Sequence, residues 1–318
     1  MSADTFPNSV VIIGGSLAGA ACARELVRRG IDAVALERDT FPRPKVCGGF
    51  LSPGAVECLD ELGLLDDVRA AGAVEVDHAR IRVDGDTVEI PFRQTGLGIS
   101  RSALDQIVAD AAPVKTGVNV VDVKTIKANV IIDAAGKLSR WSKAVSSDEF
   151  GIQYAEPGTR GSALDFWFFE DGYGGGVTVE GGQSNFCFLI KKVALPRYLG
   201  QPGRLVTGPI AYQRSQTEYI SIGDAAGMID PFCGEGMHHA LDSGIVAARV
   251  VARGLRDGVD YATMKQTYEM EMSRRWSTKR MLTSAMRETL RYPSIVRHGL
   301  RWKAGWFLDK LWATIPTS

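Results

Sequence analysis

VVIIGGSLAG, residues 10–19, reads as a strand that runs into a glycine-rich turn and then a helix. Val10, Val11, Ile12 and Ile13 form an unbroken β-branched run, the pattern of a parallel strand buried on both faces. From Ala18 to Arg29 the apolar residues recur at helical spacing, and Gly30 supplies the stop. A second apolar run, Asp32 to Leu36, ends in Glu37, 23 residues past Gly14. At that spacing an acidic side chain reaches the ribose hydroxyls of an adenosine. Read as G-x-G-x-x-G, the key positions are Gly14, Ser16 and Gly19. The middle residue is a serine, small enough to let the backbone approach a pyrophosphate. Strand, turn, helix and Glu37 together point to nucleotide binding; the alternative is a glycine-rich turn in an ordinary βαβ unit.

A distant stretch completes the pattern. In YISIGDAAGMIDPFCGEGMHHAL, residues 219–241, a short apolar run meets Gly223 and Asp224, and Gly234 with Gly236 then open an alanine-rich helix. Such an element offers a carboxylate to a sugar hydroxyl and bare N–H groups at a helix start to an electron-rich ring. That combination suits a flavin. Between the two stretches, FPRPKVCGGFL at 41–51 reads as an extended loop stiffened by prolines, where Gly48 and Gly49 let the main chain pass close to something flat.

Composition narrows the classes. The chain has 318 residues, of which 45% are apolar, and its 37 basic and 37 acidic residues balance. Bulk charge therefore predicts no nucleic-acid partner. The early Asp4 and the lack of a long apolar run predict a cytoplasmic protein. Five cysteines without a C-x-x-C pair argue against a disulfide framework and against a metal site.

GGSLAG, the glutamate of VALERD, PKVCGGFLSPGAVECLDELGL, ISRSALD, IDAAGKLSR and GDAAGMIDPFCGEGM occur in the order seen in the FAD-dependent geranylgeranyl reductase family. The chain resembles that family over residues 8–250, and more loosely resembles the aromatic-ring flavin monooxygenases and flavin halogenases around it. The resemblance implies an α/β fold: a glutathione-reductase-like FAD (Rossmann) domain with an inserted antiparallel β-sheet substrate domain and a C-terminal helical region. The expected division is 1–75, 95–150 and 215–260 for the FAD domain, 76–94 and 151–214 for the sheet, and 261–318 for the helices.

The same resemblance implies residue roles. Amides of Gly14, Gly15, Ser16 and Gly19 would hold the pyrophosphate, with Ala18, Arg38, Ala135, Gly136 and Gly223 beside the dinucleotide. Glu37 would take the adenosine ribose, Arg101 would be a cationic partner, and Asp224 would serve the ribityl or pyrophosphate side. Cys47, Gly48 and Gly49 would border the isoalloxazine, and Gly234, Glu235, Gly236 and Met237 would lie along its pyrimidine edge, at a helix start that favours negative charge. With a single dinucleotide motif, electrons would come from NAD(P)H docking transiently or from an external reductase.

Where ring monooxygenases carry Asp-Gly, this chain has Asp133 followed by Ala134, and where they carry His and Gln it has Gly227 and Glu235; these choices resemble the reductase branch. The aromatic-Trp-Phe-Pro stretch of many prenyl reductases is absent, its place held by residues 173–176, YGGG. The expected reaction is reduction of a carbon–carbon double bond in an apolar, isoprenoid-like substrate. The alternatives are monooxygenation of an aromatic or polyketide-like substrate, halogenation, and a flavoprotein without turnover.

Residues 161–190 alternate with period two and read as strands. Phe166 and Phe168 would share one face and Trp167 and Phe169 the other, so Phe166, Phe168 and Tyr173 are the candidate substrate contacts, with sheet core as the alternative. Cys47 and Cys233 are candidates for flavin tuning, a redox pair or proton donation, and His238 for general acid–base work; buried packing is the alternative for each. From Lys265 onward eleven basic residues face four acidic ones, and Trp276, Trp302, Trp306 and Trp312 lie among them. Such helices either cover the FAD domain or make peripheral contact with an anionic membrane.

Overall fold

The computed structural model describes residues 10–83, 86–199, 202–215 and 218–290. In chain order its elements are β1 Val10–Ile13, α1 Leu17–Arg28, β2 Ala33–Leu36, β3 Phe50–Leu51, α2 Pro53–Glu61, α3 Leu65–Ala70, β4 Val74–Val83, β5 Asp86–Gly98, α4 Arg101–Asp110, β6 Val114–Lys115, β7 Val130–Asp133, β8 Lys143–Ser146, β9 Glu149–Pro157, β10 Ala163–Phe169, β11 Gly172–Val179, β12 Gln183–Lys191, β13 Leu205–Thr207, β14 Ala211–Ser215, β15 Ile220–Ser221, α5 Gly236–Asp257 and α6 Tyr261–Leu290.

The first sheet runs β15-β7-β1-β2-β6, and every pair in it is parallel. All four residues of β1 are buried, as a strand covered on both faces requires. Its two most distant segments in sequence, β15 and β1, flank β7 and so bring residues 14–19 and 223–237 to one end of the sheet. Helices α1 and α5 cover one face. Their close approach needs Gly244, where an added Cβ would stand 2.4 Å from the Ala18 carbonyl oxygen.

The second sheet runs β13-β9-β12-β11-β10-β4-β5-β3. It is antiparallel except where β10 lies parallel to β4, because the chain leaves after β5 to build part of the first sheet and then returns. It takes in Phe50–Leu51 and extends to Gly98, beyond the 76–94 stretch read from sequence. β8 and β14 pair antiparallel in a separate two-stranded ribbon. The alternation holds: Phe166 and Phe168 pack on Phe232 at 5.6 and 5.8 Å between ring centroids, while Trp167 and Phe169 stack on Phe186 and Phe188 on the opposite face. Gly174 makes room there, since a Cβ on it would enter the Phe188 ring.

Helix α6 ties the halves together. Met264 and Tyr268 enter the core of the first sheet and Trp276 that of the second. The Tyr261 hydroxyl accepts from the Ile220 N–H and donates to the Ile131 carbonyl, and the Tyr268 hydroxyl donates to the Ser221 carbonyl. Three of the basic residues read as a solvated or membrane-facing set turn inward instead: Arg275, Lys279 and Arg280 bond to Asp242, Glu235 and His239. Trp302, Trp306, Trp312 and the basic residues from Arg291 onward lie outside the described residues. No described helix is long and apolar enough to cross a membrane.

Candidate active site

Two clefts meet at the end of the first sheet. The larger, about 220 Å³, lies between residues 16–18, the 45–50 loop, the 222–240 segment and the inner face of the second sheet. The smaller, about 110 Å³, lies over Glu37, Arg38, Val118, Asn119 and Trp141. Both are lined by Ser16, Lys45, Ala134 and Gly136, so a long ligand can run from one into the other.

The turn at 14–19 is built by steric exclusion. Gly14 has φ +108°, and a Cβ on it would lie 2.2 Å from the Ala134 carbonyl oxygen; one on Gly19 would lie 1.8 Å from the Gly14 oxygen. Only glycine allows that approach. The backbone donors differ from the expectation. The Gly14 N–H is taken by the Leu36 carbonyl and the Gly15 N–H by Glu37 Oε2 at 2.9 Å. The first amides of α1, at Leu17, Ala18 and Gly19, have no carbonyl within the helix to bond to, and a helix start attracts an anion. Leu17 and Ala18 line the larger cleft.

Ser16 has a positive role in place of glycine. Its hydroxyl accepts from Arg101 Nη2 at 3.0 Å and donates to Asp105 Oδ2 at 3.2 Å. Arg101 also grips both Asp105 oxygens, at 2.8 and 2.9 Å. Burial works against the Arg101 charge, but Asp105, Cys47 and Asp224 outweigh it and hold the guanidinium above its ordinary range. Asp224 sits half-buried on the cleft wall with no donor from the described residues, as a group awaiting sugar hydroxyls would.

Glu37 is buried and accepts from the Gly15 and Asp39 N–H groups, which leaves lone pairs on both oxygens for ribose hydroxyls. Near it, the buried Arg43 Nε makes no hydrogen bond and lies 3.5 Å from Asp39 Oδ2 in an ion pair. Ala135 and Arg38 also line this cleft.

In the larger cleft, Cys47, Gly48, Gly49, Gly223, Gly234, Gly236 and Met237 line the wall, with Phe166 and Tyr173 opposite. Three expectations need correction. Phe168 does not line the cleft; it buttresses Phe232 from behind. Glu235 is fully buried and lies behind the turn, because its carboxylate is drawn to His238 and Lys279. His238, 3% exposed, bonds Glu235 at 2.5 Å and stands edge-on to Trp276, so it faces away from the cleft. The Cys233 side chain lies outside the described residues.

Several site residues escaped the sequence reading. Asn185 Nδ2 donates to the carbonyls of Cys47 (3.0 Å) and Gly48 (2.7 Å), and Gln153 donates to Asn185 Oδ1 at 2.6 Å. This relay fixes the 47–49 loop from the second sheet. The signal was present: Asn185 is the polar residue that borders the apolar run Phe186–Ile190 of β12. Cys187, beside Gly48, is a second thiol on the cleft wall, its pKa pushed up by burial and then by Cys47. Tyr173 donates to Asp230, which also caps the turn before Gly234.

Lys45 was missed although it lies within the quoted loop. It lines both clefts and makes no hydrogen bond within the described protein. Burial and then Arg101 lower its pKa from 10.5, with Asp224 and Asp105 pulling the other way. An incoming pyrophosphate reverses that balance, so binding takes up a proton whenever Lys45 is partly neutral. Lys45→Met should weaken FAD binding about tenfold, the effect of losing one charged hydrogen bond, and Lys45→Arg should retain most of it. The parent's affinity should fall as pH rises toward 10.5. Fluorescence titration across pH checks both; a pH-independent affinity with an unaffected Lys45→Met removes this role.

The comparisons agree with this geometry. Residues 8–143 match the FAD binding domain family. The orphaned amides, the ribose carboxylate and the two joined clefts fit that cofactor. The chain is an FAD-dependent oxidoreductase. This oxidoreductase is 24% identical to digeranylgeranylglycerophospholipid reductase 3 of Methanosphaera stadtmanae over 80% of each chain. It is 35% identical to a menaquinone reductase of Mycolicibacterium smegmatis, over 36% of this chain and 30% of that relative's length. Among solved structures, the geranylgeranyl bacteriochlorophyll reductase-like protein of Thermoplasma acidophilum superposes with TM-score 0.76 at 19% identity, over 98% and 94% of the two chains. The flavin-dependent brominase Bmp2 gives TM-score 0.76 at 18% identity, over 97% and 94%. At those identities the structures show a shared fold.

Proposed function

We propose that this oxidoreductase reduces a carbon–carbon double bond in an isoprenoid or similarly apolar substrate. The observation that carries the proposal is the roof of the larger cleft: every side chain that the second sheet contributes there is uncharged, from Leu164 and Phe166 to Leu189 and Thr207. Such a wall favours an apolar chain over a small polar substrate. The similarity to a digeranylgeranylglycerophospholipid reductase over 80% of each chain supports the same reading.

Bound FAD would supply hydride to one substrate carbon. The chain's residues do the rest. Apolar groups from β10 to β12 align the substrate and exclude water. A proton must reach the second carbon, and Cys47 and Cys187 are the thiols on the cleft wall placed to supply it. Burial keeps Cys187 as the protonated thiol and a poor thiolate nucleophile. The electron source in this reading is NAD(P)H docking transiently or a separate reductase. Free thiols at Cys22, Cys47, Cys58 and Cys187 fit a reducing, cytoplasmic setting.

The test is an anaerobic single turnover of pre-reduced, FAD-loaded protein with a polyprenyl substrate. The expected product has gained two hydrogens. A product that forms only after air is admitted and has gained oxygen would replace this reading with monooxygenation. Cys47→Ala should slow the anaerobic turnover about 100-fold, the low end of general-acid effects, while leaving FAD binding intact; an unchanged rate would remove Cys47 as the donor.

A further inference from the structure

Behind the turn at 234–237 lies a buried polar cluster with no part in lining the cleft. Glu235 Oε2 takes both His238 Nδ1 at 2.5 Å and Lys279 Nζ at 3.2 Å, while Oε1 is buried with no partner among the described residues. Lys279 comes from α6, is 5% exposed, and lies 5.2 Å from the centre of the Trp276 ring. The Trp276 indole donates to Asp242 at 2.7 Å and Arg275 to Asp242 at 2.6 Å. Arg280 meets His239, whose pKa is pushed down to about 3 by burial and then by Arg280, so His239 is neutral. Glu57 of α2 completes the charged surroundings, its carboxyl raised by burial and drawn down by His238 and Lys279.

Burying charges costs more than packing apolar groups of the same volume, so the cluster is not explained by stability alone. Its place in the chain suggests another role. Glu235 is the residue from which α5 begins, yet its side chain makes no capping hydrogen bond. Unneutralised, its charge would oppose the positive end of α5, beside which Gly234, Gly236 and Met237 face the cleft. Burial would raise the Glu235 pKa, but His238 and then Lys279 hold it down, so the carboxylate stays ionised with the Lys279 ammonium beside it.

We propose that Lys279 is a positioning residue for bound FAD: acting through Glu235 from the C-terminal helix, it fixes the 234–237 turn and sets the potential at which the flavin is reduced. The proposal rests on the FAD reading of the larger cleft. Flavin reduction adds electron density, which a nearby cation favours and an uncompensated carboxylate opposes. The two partners therefore act with opposite signs. Lys279→Met leaves Glu235 uncompensated and should lower the midpoint potential, whereas Glu235→Gln leaves Lys279 in excess and should raise it. Each shift should be about tenfold in the reduction equilibrium, about 30 mV for a two-electron couple. Lys279→Arg should stay near the parent, and the double variant should return toward it because both charges are gone.

Anaerobic equilibration of the FAD-loaded full chain with a reference dye reads all four. Opposite shifts that cancel in the double variant bear the proposal out. Potentials that all match the parent, or single variants that move the same way, overturn it, because a purely structural contact gives no sign reversal. Should Lys279→Met fail to hold FAD, Glu235→Gln and the double variant decide: a raised potential that the second substitution reverses supports the proposal, and one that it leaves in place sinks it. A parent protein that takes up no FAD would fail at the earlier step and sink the cofactor reading with it.

Discussion

Gly19→Ala should produce a protein that no longer retains FAD. The added methyl would sit 1.8 Å from the Gly14 carbonyl oxygen, and that atom is backbone. Overpacking usually costs on the order of 1–3 kcal/mol when side chains can yield. Here the 14–19 turn itself must move, and its other side is pinned by Ala134, whose carbonyl lies against Gly14. Moving the turn shifts the start of α1, whose unpartnered amides face the cleft. We expect FAD affinity to drop at least about 100-fold, equivalent to about 3 kcal/mol, measured by equilibrium titration of the apoprotein. Core packing elsewhere is untouched, so far-UV circular dichroism should stay close to the parent's. An affinity within a few-fold of the parent would mean that the turn does not hold the pyrophosphate.

Arg101→Met should be the most damaging single change to folding. Asp105 is 1% exposed, and its carboxylate takes bonds from Arg101 and from Ser16. Removing the guanidinium strands a buried negative charge, which costs about 3–5 kcal/mol, a large fraction of ordinary domain stability. The expected readout is a clearly lower thermal midpoint with FAD binding weakened as well. The double variant Arg101→Met with Asp105→Leu should recover most of the stability and little of the affinity, because the stranded charge is gone while the cation beside the cleft is still missing. Equal recovery of both would mean that Arg101 acts only as Asp105's partner.

The parts of the site that were legible in the sequence are those in which chemistry is local. The 14–19 turn, Glu37 at the end of β2, and the left-handed glycines at 223 and 234 each declare themselves by neighbours within a few residues. The period-two alternation likewise placed Phe166 and Trp167 on opposite faces without reference to any other strand. Contacts made across the fold leave no such trace. Asn185 holds a loop 138 residues earlier in the chain, and Lys279 meets Glu235 across 44 residues. The reading of Glu235 and His238 failed for one physical reason: residues next to a cofactor motif were taken to face the cofactor, whereas the first turn of α5 points some side chains into the cleft and others into the core. Lys45 was overlooked for a different reason. In sequence its loop is marked by its glycines and cysteine, and only the fold brings Lys45 to the border of both clefts.

Two clefts joined at Ser16, Lys45, Ala134 and Gly136 hold one dinucleotide cofactor in this account. Titration of purified apoprotein with FAD, followed by flavin absorbance and by quenching of Trp141 at the adenosine end, tests that most directly. The predicted result is saturable binding of one FAD per chain, with flavin absorbance and tryptophan emission changing together along one curve. A protein that remains colourless once excess FAD is removed, or a flavin signal that changes while tryptophan emission does not, would contradict it.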